Sequence, residues 1–401
     1  MCNALKGMKV KTPFLRDSHQ LEQLKKVLPE QDEDEIKEIL CCFSSSRTIS
    51  GRFRMTYAPF TEHKDIPFSS KFLNISPEGI RFNDQSDSND PRNKSRIHVF
   101  LFGGSTTFGY GVKDADTIAA HMEKVLNKDG SYYRVFNCGR QSYFSTIEAI
   151  AFQQFLQDGA YINIAVFIDG LNDVFHNCPV YRNKSRFSEH IEEFWNDIDY
   201  LYGYADEKGP WLNSNRFFKH LIRQMPLMRK IRKLKKKVIN HLVCKNAQET
   251  RFHEPWAQKH NPNDVETRKL AQQISQLTLT NWNIIRGISQ QFDIYQIFCL
   301  QPVYYMNLPL ENHLFLIKNE HPLWEKIYKQ YYQSIRDSSC LKDDFIDLST
   351  VFKDVVHCPY VDSHHYSPYG NRLIAEVISK YIISSKWIKE LVFRVKSTSL
   401  S

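Results

Sequence analysis

The sequence predicts an α/β domain built on a parallel sheet, with an N-terminal extension and a long insertion. Three observations predict it. Short continuous apolar runs, "IHVFLFGG", "YYRVFNCG" and "INIAVFIDG", read as strands buried on both faces. Helical stretches alternate with them, which gives βαβαβ and calls for right-handed crossovers. Each run stops abruptly in Gly, Asn or Asp, at the strand ends outside which open parallel sheets bind their ligands.

The elements follow in order. In residues 17–43, Leu21, Leu24, Val27 and Leu28, then Ile36, Ile39 and Leu40, recur at helical spacing on either side of Pro29. They read as two short helices of an N-terminal cap. Residues 46–95 are extended and turn-rich, with a polar loop at 87–95. After the first strand, "DTIAAHMEKVLNKDG" reads as a helix ending near a glycine. "STIEAIAFQQFLQDG" is a second helix, opened by Ser145 with Glu148 three residues on, the pattern of a capping box. The alternation breaks at about 176–262, which is polar, aromatic and basic. It resumes with a long helix over about 265–292, the strand "IYQIFCLQP", a helix around "HPLWEKIYKQYYQSIRDS" and the strand "DFIDLSTVF". "SPYGNRLIAEVISKYIIS" closes it as a helix with Pro368 in its first turn. The expected division is residues 1–95 as cap and extended segment, 96–385 as the α/β domain and 386–401 as a tail.

Composition bounds the function. Hydrophobic residues at 42% and charged residues at 24% exclude a disordered chain. The 13% of aromatic residues fits either a large core or a lined cleft. A net charge of +8 is mild for 401 residues and tolerates anionic partners without demanding them. No nucleic-acid module is recognisable, so nucleic acid is not an expected partner. Nine cysteines, an odd number without a CxxC pair, argue against a disulfide framework and for a reducing compartment. "MCNALKGMKVKTPF" lacks a long apolar h-region, and no run has membrane-spanning length, so the expected location is cytoplasmic. Export without an N-terminal signal is the alternative.

Four polar constellations fall at strand ends: Gly103-Gly104-Ser105-Thr106-Thr107, Asn137-Cys138-Gly139, Asp169-Gly170-Leu171-Asn172-Asp173 and Asp362-Ser363-His364-His365. Together they supply the parts of an acyl-transfer site. A serine hydroxyl needs a base, and His365 can be that base. Asp362, three residues earlier, can hold the imidazole in the right tautomer. The Ser105 N–H, the Gly139 N–H and the Asn172 amide are candidate donors to an oxyanion. Gly139 has no Cβ and lets backbone approach closely.

These blocks resemble the SGNH, or GDSL-type, hydrolase family, named for the serine, glycine, asparagine and histidine of its sequence blocks. Ser105 in "FGGSTTFG" matches the nucleophile, Gly139 in "VFNCGRQSYFS" the glycine, and Asn172 in "DGLND" the asparagine. His365 in "DSHHYSPYG" matches the base, and Asp362 fills the acid position of the family's DxxH motif. The match covers roughly residues 97–175 and 293–383. The first block departs from the family's name by reading Gly-Gly-Ser-Thr-Thr, an accepted variant. The resemblance implies a three-layer α/β/α sandwich of flavodoxin-like type. It also implies ester cleavage without metal or organic cofactor, on acylated sugars, lipids, thioesters or phospholipids. Some members transfer acetyl groups, so an O-acyltransferase on a sugar acceptor is an alternative. A non-catalytic binding protein on the same fold is another.

Other readings fit the residues less well. "GGSTTFGYG" lacks both GxxxxGK[ST] and GxGxxG followed by an acid, and Thr107 breaks the GxSxG elbow. His357, Cys358, Asp362, His364 and His365 crowd one stretch, but their spacing matches no closed zinc motif. Small apolar packing is the expectation for Cys138 and Cys358. "RFFKHLIRQMPLMRKIRKLKKKVINHLV", from Arg216 to Val243, reads as a solvated basic face with an apolar stripe. Its alternative is contact with an anionic membrane surface. The insertion suits a lid or cleft wall, with Trp195, Tyr200, Tyr202, Tyr204 and Trp211 as stacking or packing residues.

Overall fold

The computed structural model describes residues 18–43, 55–83, 91–92, 96–129, 133–178, 263–306, 312–315 and 322–391. The chain divides into two units, residues 1–177 with 263–401, and residues 178–262. Apart from Cys178, the second unit lies outside the described residues. So do the basic stretch at 216–243 and the five aromatic residues singled out in the insertion.

Two helices come first, α1 (Ser18–Val27) and α2 (Glu33–Phe43), separated at Pro29. Carboxylates of Glu33, Asp34 and Glu35 fill the first turn of α2, where the helix dipole favours them. Two short antiparallel pairs follow, β1 (Met55–Ala58) with β2 (Glu62–Asp65) and β3 (Phe68–Ser69) with β4 (Asn74–Ile75).

The alternation then runs through β5 (Ile97–Gly103), the single turn α3 (Ser105–Phe108), α4 (Ile118–Leu126), β6 (Tyr133–Asn137), α5 (Ser145–Gln157), β7 (Ile164–Asp169) and α6 (Leu171–Asn177). It continues through α7 (Asp264–Gln291), β8 (Tyr295–Leu300), α8 (Pro322–Arg336), β9 (Phe345–Asp347) and α9 (Pro368–Ser384). The five strands are parallel, in the order β6-β5-β7-β8-β9. Counted along the sheet's own strands this is 2-1-3-4-5, the flavodoxin-like order. The order reverses between β5 and β7, and in open parallel sheets ligands bind beyond the carboxyl ends of the strands at such a point.

Alternation along β5 sorts the core into two layers. Ile97, Val99 and Leu101 join one cluster with Ile118 and Met122 of α4 and Ile374 and Ile378 of α9. Phe100 and Phe102 face the other way, into a run of rings that crosses the sheet. Phe102 stacks on Phe167 at 4.9 Å, Phe167 on Phe298 at 5.6 Å, and Phe298 on Trp282 of α7 at 5.0 Å. Much of the aromatic content is therefore core.

One local expectation is overturned. The N-cap of α5 is Phe144, with no side-chain cap, and Ser145 is the first helical residue. Its hydroxyl donates to Asp173 at 2.6 Å, and Glu148 is buried at 1% exposure instead of reaching back. A capping box does occur at α7, between Asn263 and Glu266. Past α9 the chain is helical again over 386–391, with Ile388 and Leu391 buried.

Candidate active site

Ser105 lies at the reversal point, as the first residue of α3 directly after β5. Helical N–H groups of the first turn are not spent inside the helix, so its N–H is available to a ligand. The loop that follows is clamped from the extended segment. Arg81 is fully buried, and its guanidinium donates to the carbonyls of Phe108 (2.8 Å), Gly109 (2.6 Å) and Val112 (2.7 Å). Its Nε donates to the Asp114 carboxylate at 2.8 Å. The planar five-donor fork of arginine suits such a site. Burial pushes the Asp114 carboxyl up, although Arg81 and Asn74 oppose that.

His365 spans the nucleophile and the acid. Its Nε2 is 2.9 Å from Ser105 Oγ, and its Nδ1 is 2.6 Å from Asp362 Oδ2. Asp362 Oδ1 accepts the backbone N–H groups of His364 (2.9 Å) and His365 (2.8 Å), which locks the carboxylate. Burial alone would raise the Asp362 carboxyl. The imidazoles of His365 and His364 and these hydrogen bonds outweigh burial and hold it well below the usual carboxylate range. An ionised Asp362 fixes the imidazole proton on Nδ1 and leaves Nε2 as the acceptor of the serine proton. The Tyr110 ring stacks on His365 at 4.7 Å, and its hydroxyl donates to the Phe43 carbonyl at the end of α2.

The remaining two blocks converge on the same floor. Asn172 donates from Nδ2 to the Tyr143 carbonyl at 2.7 Å, which leaves the second amide hydrogen for a ligand. A Cβ on Gly104 would stand 2.3 Å from Asn172 Nδ2, so a glycine before the nucleophile is what lets that amide in. At Gly139 a Cβ would lie 2.4 Å from Phe108 N, so the backbone of α3 itself requires a glycine there. The Gly139 N–H already donates to Asn137 Oδ1 at 3.1 Å and must be shared to serve a ligand. Ser105 and His365 are each 8% exposed, so the reacting groups sit at a floor and not on the surface.

The histidine-rich stretch separates on folding. Asp362, His364 and His365 bring ligand atoms within 4.8 Å of one another, and His357 and Cys358 are not among them. The hydrogen bonds of Asp362 and His365 account for that grouping. Cys138 and Cys358 are buried, and the described cysteines are free thiols. No helix among the described residues is long and apolar enough to cross a membrane.

Tyr110 and Arg81 were not anticipated from sequence. Tyr110 stands inside the glycine-flanked "FGYG" after the serine, where an aromatic between two turn residues is a readable signal. Arg81 lies 24 residues before Ser105 in an extended segment, and nothing local marks it.

No known family profile and no curated protein sequence matches the chain. Solved structures resemble it slightly. An acetyl xylan esterase, AlAXEase, is 13% identical with a TM-score of 0.36, over 71% of this chain and 98% of that one. A catalytic mutant of an acetylxylan esterase from Geobacillus stearothermophilus is 12% identical with a TM-score of 0.36, over 74% and 98%. The psychrotrophic esterase EstA from Pseudoalteromonas sp. is 10% identical with a TM-score of 0.34, over 73% and 98%.

Proposed function

We propose that this protein is a serine esterase that hydrolyses a carboxylic ester through an acyl-enzyme on Ser105. One observation carries the reading: His365 bridges Ser105 Oγ and the Asp362 carboxylate at 2.9 and 2.6 Å. Ser105 Oγ attacks the carbonyl carbon as its proton passes to His365 Nε2. The developing oxyanion is met by the Ser105 N–H and the free Asn172 amide hydrogen, with the Gly139 N–H shared from Asn137. Collapse expels the alcohol, which takes the proton from Nε2. Water then attacks the acyl carbon, gives a proton to Nε2, and the second collapse releases the acid and restores Ser105. Asp362 stays ionised throughout and stabilises the imidazolium.

The test is labelling with a fluorophosphonate, beside turnover of p-nitrophenyl acetate, in wild type, Ser105→Ala and His365→Ala. Labelling and turnover are expected in wild type and lost in both variants with the fold retained. A folded wild type that neither labels nor turns over would overturn the reading and favour a binding protein. Turnover that rises on adding a sugar acceptor, with acylated sugar as product, would favour the transferase alternative.

A further inference from the structure

Behind the turn that carries Asn172, three carboxyl groups meet in the core. Glu148 of α5, Asp169 at the end of β7 and Asp173 of α6 are 1%, 2% and 0% exposed. Among the described residues no lysine or arginine pairs with them. Three adjacent unpaired negative charges in such a place would be prohibitively desolvated.

The donors around them say which group is charged. Asp173 Oδ1 accepts the Ser145 hydroxyl (2.6 Å) and the Thr278 hydroxyl (3.1 Å), and Oδ2 accepts the Gly170 N–H (3.1 Å). That is the surrounding of a carboxylate. Asp169 Oδ2 accepts the Trp282 indole N–H at 2.7 Å. Two buried oxygens are left without a donor, Asp169 Oδ1 and Glu148 Oε2. Their carboxyl groups lie within hydrogen-bonding reach of each other. Two carboxyl groups so close in the dry core repel unless one carries a proton. Among the described residues Glu148 receives no other donor, so the proton belongs on it.

We propose that Glu148 is a neutral carboxylic acid in the folded protein, that its proton bridges to Asp169, and that this bridge positions the turn holding Asn172. The turn is short. Asp169 is anchored by Trp282 and Glu148, Gly170 by Asp173, and Asn172 projects from the next turn of backbone toward Ser105. Loss of the bridge releases the first anchor and lets the amide drift. Burial favours the neutral form of Glu148, and the charges of Asp169 and Asp173 act in the same direction. Among the described residues the other titratable groups facing the cluster are Tyr331 of α8 and Cys299 of β8, both held neutral by burial. The proton bridge is independent of the site's chemistry, and its effect on turnover rests on the esterase reading.

Infrared spectroscopy tests the proton without any substrate. A protonated-carboxyl C=O band, shifted in D2O, is expected in wild type at pH 7 and absent in Glu148→Gln. A wild type without that band, or an identical spectrum for the variant, overturns the bridge. Turnover of p-nitrophenyl acetate tests the positioning. Glu148→Ala should lower kcat by about ten- to a hundredfold with KM little changed, and Glu148→Gln, which still donates, should recover most of it. On raising the pH, wild type should lose kcat as the bridging proton leaves, while Glu148→Gln should not. Wild-type kcat in Glu148→Ala, or coincident alkaline limbs for wild type and Glu148→Gln, overturns the positioning role. The pH comparison decides it where the alanine variant does not fold.

Discussion

Ser105, His365 and Asp362 form one hydrogen-bonded line, and each proton on it has a defined place. The carboxylate of Asp362 is what defines them, because it accepts from Nδ1 and so leaves Nε2 bare. Asp362→Asn would present an amide there and favour the opposite tautomer. We expect kcat for p-nitrophenyl acetate to fall by about ten-thousandfold with the thermal midpoint nearly unchanged. Retention of activity would remove Asp362 from the line. At the oxyanion position, Asn172→Ala should lower kcat by about a hundred- to a thousandfold. Gly139→Ala should lower stability as well as activity, because its methyl meets the Phe108 backbone. Ser105, Gly139 and Asn172 were legible in the sequence for a physical reason: polar groups at the ends of buried strands stand out against the apolar runs before them. Asp362 and His365 lie well beyond β9, in the loop before α9, and were legible through the resemblance to the DxxH motif. The ring of Tyr110 on His365 was not legible, since a stacking partner leaves no spacing in the chain.

At the scale of elements, the N-terminal segment is part of the nucleophile's support. Arg81 pairs backbone with Ile75 and Asn137, and its side chain ties three carbonyls of the loop after α3 to Asp114. The sequence separated residues 1–95 as a cap, because an extended stretch with few apolar repeats shows nothing of what it will clamp. Arg81→Ala would leave the Asp114 carboxylate buried and unpaired. We expect a loss of about 3–5 kcal/mol in urea unfolding. Arg81→Lys should not restore it, because a single ammonium cannot reach four acceptors in one plane. The strands and most helices could be read along the chain from apolar periodicity, whereas the flavodoxin-like arrangement of the sheet came only from the family resemblance. The box expected at Ser145 failed because its two residues found partners on β7 and α6, and long-range burial overrode a local pattern.

Over the whole molecule, buried histidines set the response to acid. Burial lowers His63, His121, His176 and His313 to about 4 from an ordinary value near 6.5. The unfolded chain takes up protons below 6.5 that the folded chain refuses. Their contribution is therefore complete above 6.5 and is lost as pH falls toward 4. Asp362 acts in the same direction at still lower pH, and the carboxyls that burial raises, Glu148, Asp169, Asp173, Asp114 and Asp116, act in the opposite one. The urea midpoint should fall steadily from pH 7 to pH 4, and a flat or rising profile would contradict this. The central claim is that the molecule turns over an ester through Ser105. Its most direct test is acid-quenched peptide mass spectrometry after brief mixing with p-nitrophenyl acetate. The account predicts an acetyl group on the peptide containing Ser105, absent in Ser105→Ala. Turnover undiminished in Ser105→Ala, or an acetyl group that accumulates only elsewhere, would contradict it.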